Sequence, residues 1–294
     1  MISRFIRLGL FGGVMTLALV APRVATAQNT ASPSRNHLYD KFQANLDFTT
    51  VLNRSTARVD GGDGTPGSDI DFRNTLGISG SSIQPAIGLA WKPGKRTEFS
   101  VGYQFINQTG ERLLDKQIVV GDDSIDADFN VKTKLGSSNA TLQFRYSLLA
   151  APKHNIGLAI GFGSIFFDLQ LDATANGCTP TQCQSGAVNI AKKLTGPTAS
   201  LGAFGRWRVG DRWYVGGDLR GVGATVDRFD LSVLEGAAFG RYFLSDRWGL
   251  EAGWNYTDVT VNVLPKENAG LSSDFAGKIQ YAYSSLKLGV VAAF

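Results

Sequence analysis

The sequence predicts an all-β protein, a transmembrane antiparallel up-and-down β-barrel of ten strands, with eight or twelve as alternatives. Three observations carry this reading. Apolar residues alternate with small or polar ones in segment after segment; short turns exchange regularly with long polar connections; and an export segment is followed by no stretch apolar enough to cross a membrane as a helix.

The export segment comes first. Arg4 and Arg7 precede an apolar run from Leu8 to Val20, and Ala25-Thr26-Ala27 has the small-x-small form that a signal peptidase cleaves. A membrane anchor is the alternative, but the run of about 13 residues falls short of the roughly 20 that a spanning helix needs. Residues 1–27 are therefore expected to be a signal peptide, 28–40 a flexible lead-in, and 41–294 the barrel. Cleavage removes Arg4, Arg7 and Arg23, so Lys+Arg falls from 29 to 26 against 25 Asp+Glu, a mature charge of about +1. With no basic tract or aromatic-basic stripe either, nucleic acid is not expected as a partner.

The strands are expected in order near 41–57, 75–92, 96–115, 126–149, 155–174, 194–209, 212–226, 229–244, 247–263 and 273–294. The first sets Phe42, Ala44, Leu46 and Phe48 against Gln43, Asn45, Asp47 and Thr49. The third sets Phe99, Val101, Tyr103 and Phe105 against Glu98, Ser100, Gly102 and Gln104. The fourth sets Leu142, Phe144, Tyr146 and Leu148 against Thr141, Gln143, Arg145 and Ser147. Short turns fall at Lys92–Lys95, Ala151–His154, Gly210–Arg212 and Ser245–Arg247; long connections fall at 60–68, 111–124, 176–193 and 265–273. In a membrane barrel the short turns are periplasmic.

Outward aromatics fit two interface girdles. Trp248 and Tyr256 lie eight residues apart on one face, roughly 20 Å along the membrane normal for a tilted strand, and Trp91, Trp207 and Trp213 sit beside short turns. The inward face carries Asp47, Glu98, Asp218, Glu235 and Glu251 against Arg145, Arg206, Arg220, Arg241 and Lys287. Five acids against five bases read first as a salt-bridged plug filling a narrow barrel, and second as the lining of a polar channel. Cys178 and Cys183, in an exported chain, read as a disulfide; no His or carboxylate lies within GCTPTQCQSG to complete a metal site.

The last strand reads Lys287-Leu288-Gly289-Val290-Val291-Ala292-Ala293-Phe294. It resembles the carboxy-terminal signal of single-chain Gram-negative outer-membrane β-barrels, in which a polar residue, a glycine and a terminal aromatic recur at this spacing. Ala292 is smaller than the usual occupant of its position. The resemblance implies a bacterial outer-membrane location, contact with outer-membrane lipid, and recognition of Lys287, Gly289 and Phe294 by the barrel-assembly machinery. The stretch from Gly67 to Gly77 is similar to an element of small uncharacterised outer-membrane proteins and implies kinship alone.

Catalysis is not expected. Enzymes on such barrels resemble one another in using histidine, and the two here, His37 before the first strand and His154 in a short turn, lie away from the outer rim. No glycine pattern fits a phosphate or dinucleotide site, and no cofactor is implied. Two roles remain open: a structural or surface-interaction barrel with a plugged lumen, or a narrow porin-like channel for ions or small solutes.

Overall fold

A computed structural model of the chain describes residues 35–61, 65–78, 82–175, 177–179, 182–184, 186–226, 229–263 and 276–294. The expected signal peptide and the start of the lead-in lie outside these residues. A 3-10 turn (His37–Tyr39) leads into β1 (Phe42–Asn53), then two short strands, β2 (Thr56–Val59) and β3 (Ile70–Asp71). After β4 (Ser82–Trp91) and β5 (Thr97–Leu113) comes a small hairpin, β6 (Ile118–Val120) and β7 (Asp123–Ile125). β8 (Phe129–Ala151) and β9 (His154–Ala175) are followed by a second small hairpin, β10 (Gly177–Thr179) and β11 (Gln182–Gln184). The remainder is β12 (Ala187–Arg208), β13 (Trp213–Val226), β14 (Phe229–Phe243), β15 (Trp248–Val263) and β16 (Gly277–Ala293).

Ten of these strands form one antiparallel ring, β1-β4-β5-β8-β9-β12-β13-β14-β15-β16, and β16 returns to pair with β1 from Gln43↔Ala293 to Asn53↔Tyr283. They are the ten strands expected from the alternation, joined by the expected short turns. Pairing of the first strand with the last leaves neither with an open edge, which a hydrocarbon environment would penalise.

The first long connection departs from expectation. The strand expected from residue 75 begins at Ser82, because Asp71 turns the chain: its Oδ1 accepts from the Arg73 and Asn74 amides, and Gly77 follows at φ 66°. The strand expected to run to residue 57 is interrupted at Arg54-Ser55, after which β2 continues along β16 with Thr56 opposite Gln280. Pro85 also marks a seam: β4 pairs with β5 only from Ala86 to Trp91. Above it the Gln84 side chain substitutes for the ladder, donating to the Asn107 carbonyl at 2.8 Å and accepting from the Asn107 amide at 3.1 Å.

The long strands change chemistry along their length without changing face. In β8, short of the irregularity at Ser147–Leu149, the even residues point outward, from Leu142, Phe144 and Tyr146 near the short turns to Lys132 and Lys134 near the long loops. The odd residues point inward and do the reverse, Gln143 and Arg145 giving way to Val131 and Leu135, which are buried. β9 repeats this: outward Leu158, Ile160, Phe162 and Phe166 yield to Asp168, Gln170 and Asp172, while inward Phe167, Leu169, Leu171 and Ala173 are buried. At about 3.3 Å per residue the 23 residues of β8 extend roughly 76 Å, far more than a bilayer needs. The lower half is built for lipid outside and polar groups inside; the upper half is built as a water-soluble barrel is.

Candidate functional site

Side chains inside the barrel fall into three tiers. At the short-turn end the segment expected to be a flexible lead-in is, over its last residues, a packed stopper. Its backbone finds fixed partners there: Lys92 Nζ donates to the Leu38 carbonyl at 3.0 Å and Gln43 Nε2 to the His37 carbonyl at 3.0 Å. Asn36 Nδ2 donates to the Pro152 carbonyl at 2.8 Å. The His37 ring stacks on Phe243 with centroids 3.5 Å apart, its Nδ1 lies 2.7 Å from Asp40 Oδ2, and Leu38 packs with Tyr214, Phe243, Val291 and Ala293.

Above the stopper lie the charges. Glu98, at the start of β5, accepts from three cations: Arg145 Nη1 at 2.6 Å, the paired Nη atoms of Arg206 at 2.5 and 2.8 Å, and Lys92 Nζ at 3.4 Å. The two arginines also flank the Phe204 ring. Arg145 reaches on toward Asp218 at 3.9 Å; Asp218 accepts from Arg220 Nε at 2.9 Å, and Arg220 Nη2 lies 3.3 Å from Glu235. Across the barrel Glu251 pairs with Arg241 and, at 2.5 Å, with Lys287, which stands 4.0 Å from Asp47. Arg241 and Lys287 share the face of Phe239. All ten charges picked out by the alternation therefore point into one lumen and pair there. Between the two groups is a polar cavity of about 260 Å³, walled by Glu98, Ser100, Gln143, Arg145, Arg241 and Lys287 among others.

Lys92 is the member that sequence reasoning missed. It is the last residue of the strand expected at 75–92 and the first of the short turn Lys92–Lys95, and its side chain turns inward. Burial pushes its ammonium down to about 8, partly offset by Glu98. The signal available was its position one residue past Trp91, continuing the inward parity of Ala90.

The third tier is apolar. The first long connection folds inward, burying Ile70, Phe72, Leu76 and Ile78, and the β6–β7 hairpin buries Ile118, Val120 and Ile125 against the same cluster. Ser68 ties the two segments together, its Oγ accepting from the Val119 amide at 2.9 Å and its amide donating to the Val119 carbonyl at 2.9 Å. Ile70, Phe72, Ile118 and Val120 thus come from stretches between the expected strands, while Leu76 and Ile78, expected in the strand 75–92, pack inside with them instead.

The other expected residues fall as follows. Lys287 enters the lumen while Leu286, Leu288 and Val290 are exposed on the outer face. Gly289 stands opposite Asp47, where a Cβ would come within 2.7 Å of the Leu46 carbonyl as well as striking the Asp47 carboxylate. Phe294 brackets Phe42: its amide donates to the Phe42 carbonyl at 2.9 Å, and its own carbonyl accepts from the Lys41 and Phe42 amides at 3.1 and 3.2 Å. Cys178 faces Cys183 across the β10–β11 hairpin, but their side chains lie outside the described residues.

No protein-family model and no curated protein matches the chain. Solved structures do. The outer membrane protease OmpT from Escherichia coli aligns with a TM-score of 0.55 at 12% identity, over 87% of this chain and 97% of that one. The translocator domain of the autotransporter NalP from Neisseria meningitidis aligns at 14% identity over 86% and 88%, with a TM-score of 0.38. The toluene transporter TodX from Pseudomonas putida aligns at 11% identity over 87% and 90%, with a TM-score of 0.34. The fold is the one by which Gram-negative outer-membrane proteins cross their membrane.

Proposed function

We propose that this is an integral outer-membrane barrel with a structural or surface-interaction role and a lumen that does not conduct at rest. One observation carries the reading: the chain's own segments occupy the lumen at both ends, with a paired charge cluster between them. A conducting pore would need a continuous wet path, and the inward-folded apolar segments occupy the upper barrel where that path would run. The cavity of about 260 Å³ favours the second reading, a narrow porin-like channel, because its walls carry both signs of charge. In either case the outward apolar band meets outer-membrane lipid, and the final strand, with Lys287, Gly289 and Phe294, serves as the signal read by the barrel-assembly machinery.

Catalysis, cofactors and nucleic acid have no part in this reading. His37 is held between Phe243 and Asp40 in the stopper, and His154 opens β9 at the same end, so neither stands at the long-loop rim.

Planar-bilayer recording of the refolded protein tests the proposal. The expected trace stays at the bilayer baseline, while Ile70→Asp, which places a carboxylate in the apolar tier, is expected to show stepwise openings as its segment leaves the lumen. Steady openings by the unmodified protein would overturn the closed lumen.

A further inference from the structure

One seam of the ring stands open. β12 and β13 pair only from Arg208↔Tyr214 up to Leu201↔Gly221. Above that point β12 continues along β9 as far as Ala187, and β13 continues along β14 as far as Val226, yet among the described residues the two facing edges share no pairing. The β4–β5 seam also loses its ladder, but there Gln84 bonds to Asn107 and Ile78 bridges to Gly110.

Pro197 works against a ladder between β12 and β13. The Arg208 amide donates toward β9, to the Lys153 carbonyl at 2.8 Å, and the next amide, Val209, donates to the Trp213 carbonyl at 3.0 Å. Even residues of β12 therefore turn their amides to β9 and odd ones to β13. The register with β9 runs without a shift from Trp207 to Ala187, so Pro197 stands where an amide would face β13, and proline has none to give.

The inner face is uncovered at the same level. Thr198, Gly196 and Ile165, which lies opposite Gly196, have the inward parity but are only half-buried, whereas Gly161 and Ser200 below them and Phe167, Leu169 and Ile190 above them are buried. A Cβ added at Gly196 would meet nothing within 4 Å. Beside it lies a narrow cleft of about 30 Å³ that reaches from Gly196, Pro197 and Thr198 to Val259, Val261, Ile279 and Tyr281, with no charged residue in its lining. On the outer face Phe162, Phe166, Leu201 and Leu234 are exposed around the opening, which places it at the upper end of the lipid-facing band.

We propose that the β12–β13 seam is a lateral window through which the end of one acyl chain of a membrane lipid enters the barrel and rests against Val259, Val261 and Ile279. An alkyl chain fills such a cleft without leaving an apolar medium and needs no hydrogen-bond partner. A peptide strand laid on the same edge would meet Pro197 and turn its own polar backbone toward apolar side chains. The width of the cleft leaves no room for a ring. The window leads sideways into the apolar tier and not through it, so hydrocarbon enters while the path for ions stays closed.

The proposal rests on the membrane-spanning reading, and the test separates the two. The refolded mature barrel in vesicles of phosphatidylcholine carrying a diazirine at the end of one acyl chain is irradiated, and labelled residues are mapped by mass spectrometry. Label is expected on the outward Leu158, Ile160 and Leu219 and also on the inward Val259, Val261 and Ile279. Gly196→Phe, which places a ring in the open space at the window, is expected to lose the inward label and keep the outward label. Outward label without inward label in the unmodified protein overturns the window and leaves the open edge to a peptide strand; inward label undiminished in Gly196→Phe overturns it too. Should Gly196→Phe not assemble, Val261→Phe fills the cleft from the facing wall, and the same loss at Val259 and Ile279 is expected; its absence overturns the window. Absence of label from the outward residues refutes the membrane-spanning reading itself, and the window with it.

Discussion

Replacing Glu98 by glutamine keeps the shape of the side chain and removes the charge on which three cations converge. The Glu98 side chain is 7% exposed and its arginine partners 12% each, so little solvent is present to screen the loss. Breaking a buried pair by removing one partner costs about 3–5 kcal/mol, because the remaining charges stay desolvated without compensation. The comparison is Asp115→Asn, which removes a pair with Arg112 at 3.6 Å where the carboxylate is 84% exposed, and such pairs contribute about 0–1 kcal/mol. Urea unfolding of vesicle-embedded protein, read by tryptophan fluorescence, measures both. Glu98→Gln is expected to lose about 2–5 kcal/mol more than Asp115→Asn. If the two lie within about 1 kcal/mol of each other, the lumen is wet enough to screen its charges, and the tiered plug is wrong.

Two further outcomes follow from the seam and the stopper. Deleting Phe294 removes all three backbone hydrogen bonds that bracket Phe42, whereas Phe294→Ala removes only an exposed ring; both are expected to lose assembly in cells, with Phe294→Ala alone refolding normally into vesicles, as read by heat-modifiable gel migration. Normal assembly of Phe294→Ala in cells would remove the ring from the assembly signal. Lys92 has a folded value of about 8 against an ordinary 10.5, so the folded state gives up this proton first. Between those values the unfolded state binds more protons, and stability is expected to rise with pH across that window relative to Lys92→Met, while below about 8 the difference stays constant. Parallel pH profiles of the two proteins would show that Lys92 is not buried as the structure places it.

How much of this was legible in the sequence depended on where the membrane is. In the lower barrel the lipid fixes a simple rule, apolar out and polar in, and the alternation from Phe99 to Phe105 or Leu142 to Tyr146 could be read directly for both strand and face. The ten inward charges followed from the same parity. Above the bilayer the rule inverts while the pleat runs on unbroken, so Val131, Leu135, Leu169 and Leu171 keep the parity of Gln143 and Gly161 but carry the opposite chemistry. An alternation counted without a boundary cannot distinguish these halves. The change from Leu142 to Lys134 on the outward parity, and from Phe166 to Asp168, was the available mark. Once the inversion is recognised it requires a core, since an upper barrel with an apolar inner face and water outside must bury that face. Ten strands enclose more space than their own side chains fill there, and Ile70, Phe72 and Leu76 are apolar residues in a connection that would otherwise leave them in water. The inward fold of that connection is therefore a consequence of the strands' length, which gives the upper barrel an apolar inner face to bury.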